Sequence, residues 1–244
     1  SNPNDTFNNV DAITVETQGN SIDFNNLTAN LTGMANFGDT TRAVAAGGVG
    51  PRSYSPGSTN NQIQFCTFAS QGDYADSGGD LTRTNMFMGC FNNKVRGVIC
   101  GGSLPYSNTI DYVTIQTLGN AVDYGDLSAL TGYPAGVSSS TRGIILGGLV
   151  VGGSPASYNT ITMFTTSSTG AGTDFGDMSS TRYEMASGSN ATRGIVAGGY
   201  GPNYTNIIEY ITMATTGNAR DFGDLTGFNG TGKGGAASPV RFVL

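Results

Sequence analysis

The sequence predicts an all-β chain folded as a five-bladed β-propeller, with one blade shared between its two ends. Three observations predict it. Turn formers dominate the composition, with 38 Gly in 244 residues, roughly twice the ordinary share of about 7%. Three short signatures recur in fixed order along the whole chain. The two ends carry complementary halves of one repeat unit. Only 11% of residues are charged. Long helix-forming side chains are therefore scarce, which excludes a helical bundle. Recurrent short runs of Val, Ile, Leu, Phe and Tyr exclude a disordered chain.

The first signature is Arg, a small residue, an apolar run and Gly-Gly. It stands at Arg42–Gly48, Arg96–Gly102, Arg142–Gly148 and Arg193–Gly199, with a short copy at Val240–Leu244. The second is an alternating run at Val10–Val15, Ile63–Phe68, Ile110–Ile115, Ile161–Thr166 and Ile208–Met213. The third is Asp-Phe/Tyr-Gly-Asp-Leu/Met at Asp123–Leu127, Asp174–Met178 and Asp221–Leu225, with looser copies at Asp23–Leu27 and Asp76–Leu81. From the alternating run to the Leu/Met is 17, 18, 17, 17 and 17 residues. From that Leu/Met to the next Arg is 15 residues four times, then 16. From the second Gly to the next alternating run, by contrast, is 15, 8, 13 and 9. One connection absorbs nearly all the length variation, as expected of a rigid repeated scaffold with one free loop per repeat.

Each unit of about 50 residues holds four strands. In the fourth unit they are predicted near Tyr183–Ser189 (A), Arg193–Gly198 (B), Asn206–Met213 (C) and Asn218–Phe222 (D). Strand B is continuously apolar, so both of its faces should be covered. Strand C alternates, so it should be half exposed. One four-stranded sheet cannot bury two faces alone, whereas sheets stacked around an axis bury them against neighbours. The expected blades are 30–80, 81–127, 128–178 and 179–225, with 226–244 joined to 1–29 as the closing blade, all in one domain. Ser rather than Met at position 1 fits a piece of something longer.

Several function classes drop out on composition. The chain has no His, which removes Ser-His-Asp triads, Cys-His dyads and imidazole metal sites. Net charge is −6, without basic clusters, so neither nucleic acid nor an anionic membrane surface is an expected partner. The longest apolar stretch, Gly143–Gly153, is too short to insert in a bilayer. Cys66, Cys90 and Cys100 have no zinc spacing and read as free, mostly buried thiols. Cys90 is expected opposite Gly97 across the turn Asn92-Asn93-Lys94.

Features repeated in every unit most economically explain the fold. The Arg series (Arg42, Arg96, Arg142, Arg193, Arg241) should cap strand edges or bind neighbouring carbonyls or a nearby Asp. Gly-Gly should supply positive φ and close approach. The carboxylates of Asp123/Asp126, Asp174/Asp177 and Asp221/Asp224 have three readings. One is Ca²⁺ coordination, another a general acid–base pair; the third, favoured here, is an Asx turn or β-turn bonding backbone N–H groups. No cofactor is otherwise expected.

The variable B–C loops 49–62, 103–109, 149–160 and 200–207 hold the ligand- or partner-binding candidates Arg52, Tyr54, Tyr106, Tyr158, Tyr200 and Tyr204. Tyrosine offers a flat apolar body with a polar tip, suited to a sugar face or a protein contact. Tyr106, Tyr158 and Tyr204 have a competing reading as packing over the sheet edge, while Arg52 and Tyr54 lie outside that pattern.

The order Arg, apolar run, Gly-Gly, variable loop, Tyr/Ile run resembles a kelch repeat over essentially the whole chain. Arg83 and Arg182 resemble the Arg that opens strand A in that family. The family's Trp is missing, Asp-Phe-Gly-Asp-Leu stands in its place, and five blades depart from the usual six or seven. In such blades the B–C and D–A loops share one face. Kelch-like propellers include a copper radical oxidase, whose copper needs His and Tyr ligands, and His is absent here. The repeats also resemble kelch-like repeats of marine bacteriophage proteins, some of them virion or tail-fibre components. The resemblance implies a non-enzymatic binding or structural module at a virion or outside the cell. Its partner would be a host surface glycan or protein, or another virion protein. A multivalent lectin with repeated inter-blade sites is the alternative, and a carbohydrate-active enzyme the remote one.

Overall fold

The computed structural model describes residues 8–13, 17, 19–50, 58–70, 72–152 and 157–227, together with the backbone of 236–237 and 242–243. These residues form β-strands and no α-helix. A two-stranded sheet of β1 (Asn9–Ala12) and β2 (Ile22–Asn26) comes first. Sheet I follows, with β3 (Ala35–Gly38), β4 (Arg42–Ala46), β5 (Gln62–Thr67) and β6 (Ala75–Asp80). Sheet II holds β7 (Gly89–Asn92), β8 (Arg96–Cys100), β9 (Thr109–Thr114) and β10 (Val122–Asp126). Sheet III holds β11 (Thr131–Gly132), β12 (Ala135–Ser138), β13 (Arg142–Val150), β14 (Ser157–Thr165) and β15 (Thr173–Asp177). Sheet IV holds β16 (Ala186–Ser189), β17 (Arg193–Ala197), β18 (Ile207–Thr212) and β19 (Arg220–Asp224). A second two-stranded sheet, β20 (Ala236–Ala237) with β21 (Phe242–Val243), comes last. Every pairing is antiparallel, and sheets I, II and IV run in simple sequence order. No ladder joins β21 to β1 among the described residues.

The core lies between sheets rather than within them. One cluster joins sheets I and II through Phe37, Val44, Ile99 and Ile115; a second joins II and III through Phe91, Tyr124, Ile145 and Phe164. A third joins III and IV through Ile144, Phe175, Ile211 and Met213. The small residue after each repeat Arg has its reason here. Phe37 lies against Gly97, Phe91 against Gly143 and Val137 against Gly194, from β3, β7 and β12 of the preceding sheet.

Consecutive sheets are also tied by hydrogen bonds. Arg42 donates to the carbonyls of Ile115 (3.3 Å) and Gln116 (2.7 Å), Arg96 to that of Ser167 (3.0 Å), and Arg142 to that of Met213 (2.9 Å). Each guanidinium thus reaches the C–D loop of the next sheet, as the neighbouring-carbonyl reading expects. Arg42, Arg96 and Arg193 also stack on Phe65, Tyr112 and Tyr210 of their own sheets. Arg241 lies outside the described residues. At the outer edge, Tyr74, Ala121 and Ala219 donate their N–H groups to the carbonyls of Asn26, Asp80 and Asp177.

Several expectations need correction. Strand C keeps a half-buried or exposed side at Thr67, Thr114, Thr165 and Thr212, but Gln64, Asp111 and Glu209 are buried. They accept hydrogen bonds from the incoming D–A segment, at Thr28, Thr82 and Ser179 respectively. These three polar residues are internal anchors, not part of a wet face. The strands are also shifted from their expected ends: A begins at Ala186 rather than near Tyr183, and D runs to Asp224. Asp-Phe-Gly-Asp therefore sits inside strand D as a β-bulge, with φ of 145°, 144° and 137° at Gly125, Gly176 and Gly223. Asp123, Asp174 and Asp221 each accept the N–H of the Gly two residues on, the Asx-turn geometry. Cys90 faces Ile99, and Asn92 faces Gly97, because the turn bends at Asn93, whose side chain accepts the N–H groups of Val95 and Arg96. The three cysteines are free.

Candidate functional site

The first strands of sheets I to IV converge on one cavity of about 420 Å³. Its wall is layered, because equivalent positions of the four sheets line it at equal depth. The outermost layer is Gly33, Phe87, Tyr133 and Glu184. Each stands six residues after the Leu/Met of its repeat. All four have left-handed backbone, with φ of 70°, 52°, 55° and 57°. At Phe87, Tyr133 and Glu184 that conformation turns the N–H toward the previous sheet. Phe87 donates to the carbonyl of Gly33 (2.7 Å), Tyr133 to that of Phe87 (3.0 Å) and Glu184 to that of Tyr133 (3.2 Å). The result is a head-to-tail backbone belt around the cavity mouth. The next layer along the strands is Met34, Met88, Pro134 and Met185, followed by Asn36, Cys90, Gly136 and Ser187. Beyond the lining, Asn92 donates to the Gly38 carbonyl (2.7 Å), and Ser138 N–H donates to Ser189 Oγ (2.9 Å).

The B–C and D–A segments meet at this mouth. Thr32 pairs with Val49, Met86 with Ser103, Gly132 with Leu149 and Tyr183 with Tyr200. These bridges put both loops on one face, as the family resemblance implies. An aromatic run crosses it: Phe87 stacks on Tyr133 (4.6 Å between centroids), Tyr133 meets Tyr183 (6.0 Å), Tyr183 meets Tyr200 (5.5 Å) and Tyr200 meets Tyr204 (4.9 Å). Tyr204 ends the run 50% exposed.

Of the predicted site residues, Tyr200 and Tyr204 are therefore brought together. Tyr106 is half-buried and packs across the sheet junction onto Gly132, where a β-carbon would fall 2.8 Å from its ring. Tyr158 sits in β14 opposite Gly148, with no ring contact to the run among the described residues. Arg52 and Tyr54 lie outside the described residues. Phe87, Tyr133, Tyr183 and Glu184 are site residues that the sequence reading misses, because it looks only in the variable loops. The available signal is a position of constant spacing whose residue type changes from unit to unit: Gly33, Phe87, Tyr133, Glu184.

The electrostatics of the mouth are simple. Glu184 is the one charged side chain among the described residues lining the cavity. Burial pushes its carboxyl above the ordinary range. Burial, then the Glu184 carboxylate and the neighbouring Tyr200, Tyr106 and Tyr133 hydroxyls, push Tyr183 up as well. Among the described residues no three His, Cys, Asp or Glu side chains group as metal ligands.

Arg182 and Arg83 are not equivalent, contrary to expectation. Arg182 is 1% exposed and forms an ion pair with buried Glu209, while also donating to the Gly198 carbonyl (3.0 Å). Asn85 occupies the same place in sheet II, donating to the Gly101 carbonyl (2.9 Å). Arg83 lies two residues earlier than Asn85 and donates to Ser107 (3.0 Å). No known family model matches the chain, and no curated protein matches its sequence.

Proposed function

We propose that this chain is a five-bladed, kelch-like β-propeller that works as a non-enzymatic binding module through its B–C/D–A face. Its partner is a host surface glycan or protein, or another virion protein, and its setting a virion or the cell exterior. The observation that carries the binding reading is the aromatic run ending at exposed Tyr204, laid across the mouth of a cavity. Buried tyrosines need no such location; half-exposed ones held rigidly by their neighbours offer contact area at little entropic cost. The run is not repeated in each sheet, which favours one composite site over several equivalent lectin sites.

Two residues support the fifth blade. Cys66, Val113, Phe164 and Ile211, at one position of strand C, are all buried, whereas Ile13 at that position is 61% exposed. Tyr124 and Phe175 of strand D are buried against the following sheet, whereas Phe222 is 51% exposed. Ile13 and Phe222 are the two faces that closure would bring together. Register supports the same reading: Arg42, Arg96, Arg142 and Arg193 each face a Thr, at 67, 114, 165 and 212. Thr14 and Arg241 hold those places in the closing unit, outside the described residues.

The test is a glycan array together with binding to isolated virion proteins, using wild type, Tyr200→Ala and Tyr204→Ala. The expected result is a specific signal that each variant weakens about tenfold or more, with an unchanged unfolding midpoint. A signal indifferent to both variants contradicts the proposed face.

A further inference from the structure

The cavity has a chemistry of its own. Its second layer is apolar, from Met34, Met88, Pro134 and Met185, and the stacked rings of Phe87 and Tyr133 form part of the rim. Against these stands one acidic residue, Glu184, which makes no ion pair with any described residue and whose backbone is held by its N–H bond to the Tyr133 carbonyl. No Lys or Arg is among the described residues of the wall. A half-buried carboxylate on a wall of thioethers and rings has no counter-ion among the described residues, and an anion would be repelled. A volume of about 420 Å³ admits a short chain, not a polymer.

We infer that this cavity binds a primary ammonium group carried on an apolar stem, with Glu184 as its anion and the methionine layer as the wall for the stem. The stem loses water against Met34, Met88 and Met185, while the ammonium gains a charge-assisted hydrogen bond from inside a poorly solvated mouth. Thioethers and ring faces are soft, polarisable neighbours for such a cation, and they tolerate variation in stem shape. The same chemistry is offered by a free alkylamine and by a lysine side chain of a bound protein. This inference rests on the reading of this face as the binding face, yet it is tested without the natural partner.

The test uses the full chain and ligand-observed NMR with n-hexylammonium, n-hexanol and a doubly capped lysine. The expected result is saturable binding of hexylammonium, with hexanol at least tenfold weaker. Glu184→Gln should weaken the ammonium at least tenfold while leaving hexanol unchanged, and Glu184→Asp should retain part of the preference. Capped lysine binding alongside hexylammonium points to a protein side chain as the source; hexylammonium alone points to a free amine. Both results support the site. Equal binding of hexanol and hexylammonium, equal binding by Glu184→Gln, or no binding overturns it. So does binding seen only after Lys233→Ala, since that lysine would then be the carboxylate's own partner. Failure of Tyr204→Ala to affect a glycan or protein signal bears on the rim alone, so the two outcomes are separable.

Discussion

Phe37 of sheet I occupies the space that a side chain on Gly97 of sheet II would need: a β-carbon there would lie 2.0 Å from the ring. Phe91 and Gly143 repeat the relationship one sheet further on. The repeat Arg must therefore be followed by a residue with no side chain wherever the previous sheet presents an aromatic ring. Gly97→Ala and Gly143→Ala should each destabilise the fold by about 1–3 kcal/mol through overpacking. Urea unfolding checks this, and Phe37→Leu combined with Gly97→Ala should recover part of the loss. Ala43, the equivalent residue in sheet I, already carries a β-carbon, so Ala43→Gly should show no comparable relief.

The Arg182–Glu209 pair is the most deeply buried charge in the described structure. Burial pulls the Arg182 guanidinium below its ordinary value, and the Glu209 carboxylate opposes that. Removing one partner leaves the other uncompensated. Glu209→Ala should cost about 3–5 kcal/mol, while the double change Arg182→Met with Glu209→Leu should cost far less. A double-mutant cycle in denaturant measures the coupling. A double-variant loss equal to the sum of the two single losses would contradict the pairing.

Arg142 holds the Met213 carbonyl of the next sheet from a half-buried position. Arg142→Ala should cost about 1–2 kcal/mol, and Arg142→Lys should recover only part, because the ammonium is not a planar fork. Hydrogen exchange should show the loss in the loop around Met213, in the neighbouring sheet rather than at the mutated strand's own turn.

Two carboxylates should give opposite pH effects. Burial tends to raise Asp39, but hydrogen bonds from Thr41, Gln116 and Arg42 outweigh it and hold the carboxyl at about 2, against an ordinary 3.8. A depressed folded value contributes stability that is present above pH 3.8 and lost as pH falls toward 2. Burial raises Asp111, against hydrogen bonds from Thr82 that favour its charged form. Its sign is the reverse: stability is fullest below its ordinary value and declines as pH rises through the elevated one. Carbon-detected NMR titration should show Asp39 moving up in Gln116→Ala. Asp111→Asn, which keeps an acceptor for Thr82, should be tolerated at neutral pH.

Much of the architecture was legible because each rule was local and repeated. Arg bound to neighbouring carbonyls, Gly-Gly with positive φ, and the Asx turn at the Asp signature follow from spacing and turn chemistry. What was hidden depended on a neighbouring sheet. Gln64, Asp111 and Glu209 read as the wet side of an alternating strand, since nothing in strand C says that Thr28, Thr82 and Ser179 will come to meet them. The cavity mouth was hidden for the opposite reason. Phe87, Tyr133 and Glu184 lie in a segment of constant length, while attention goes to segments of variable length. Tyr200 and Tyr204, which the structure brings into contact, were candidates because they lie in one of those.

The measurement that bears most directly on the account is a cross-link between the two ends of the repeat array. With Cys66, Cys90 and Cys100 replaced by Ala, Thr14→Cys and Arg241→Cys should form an intramolecular disulfide under mild oxidation in nearly every molecule. The strands carrying them would be antiparallel neighbours, within reach of a disulfide. The oxidised monomer should also resist urea better than the reduced one, since the bond closes nearly the whole chain. Reduced monomer that stays unlinked, or links found only between molecules, would contradict a fifth blade built from both ends.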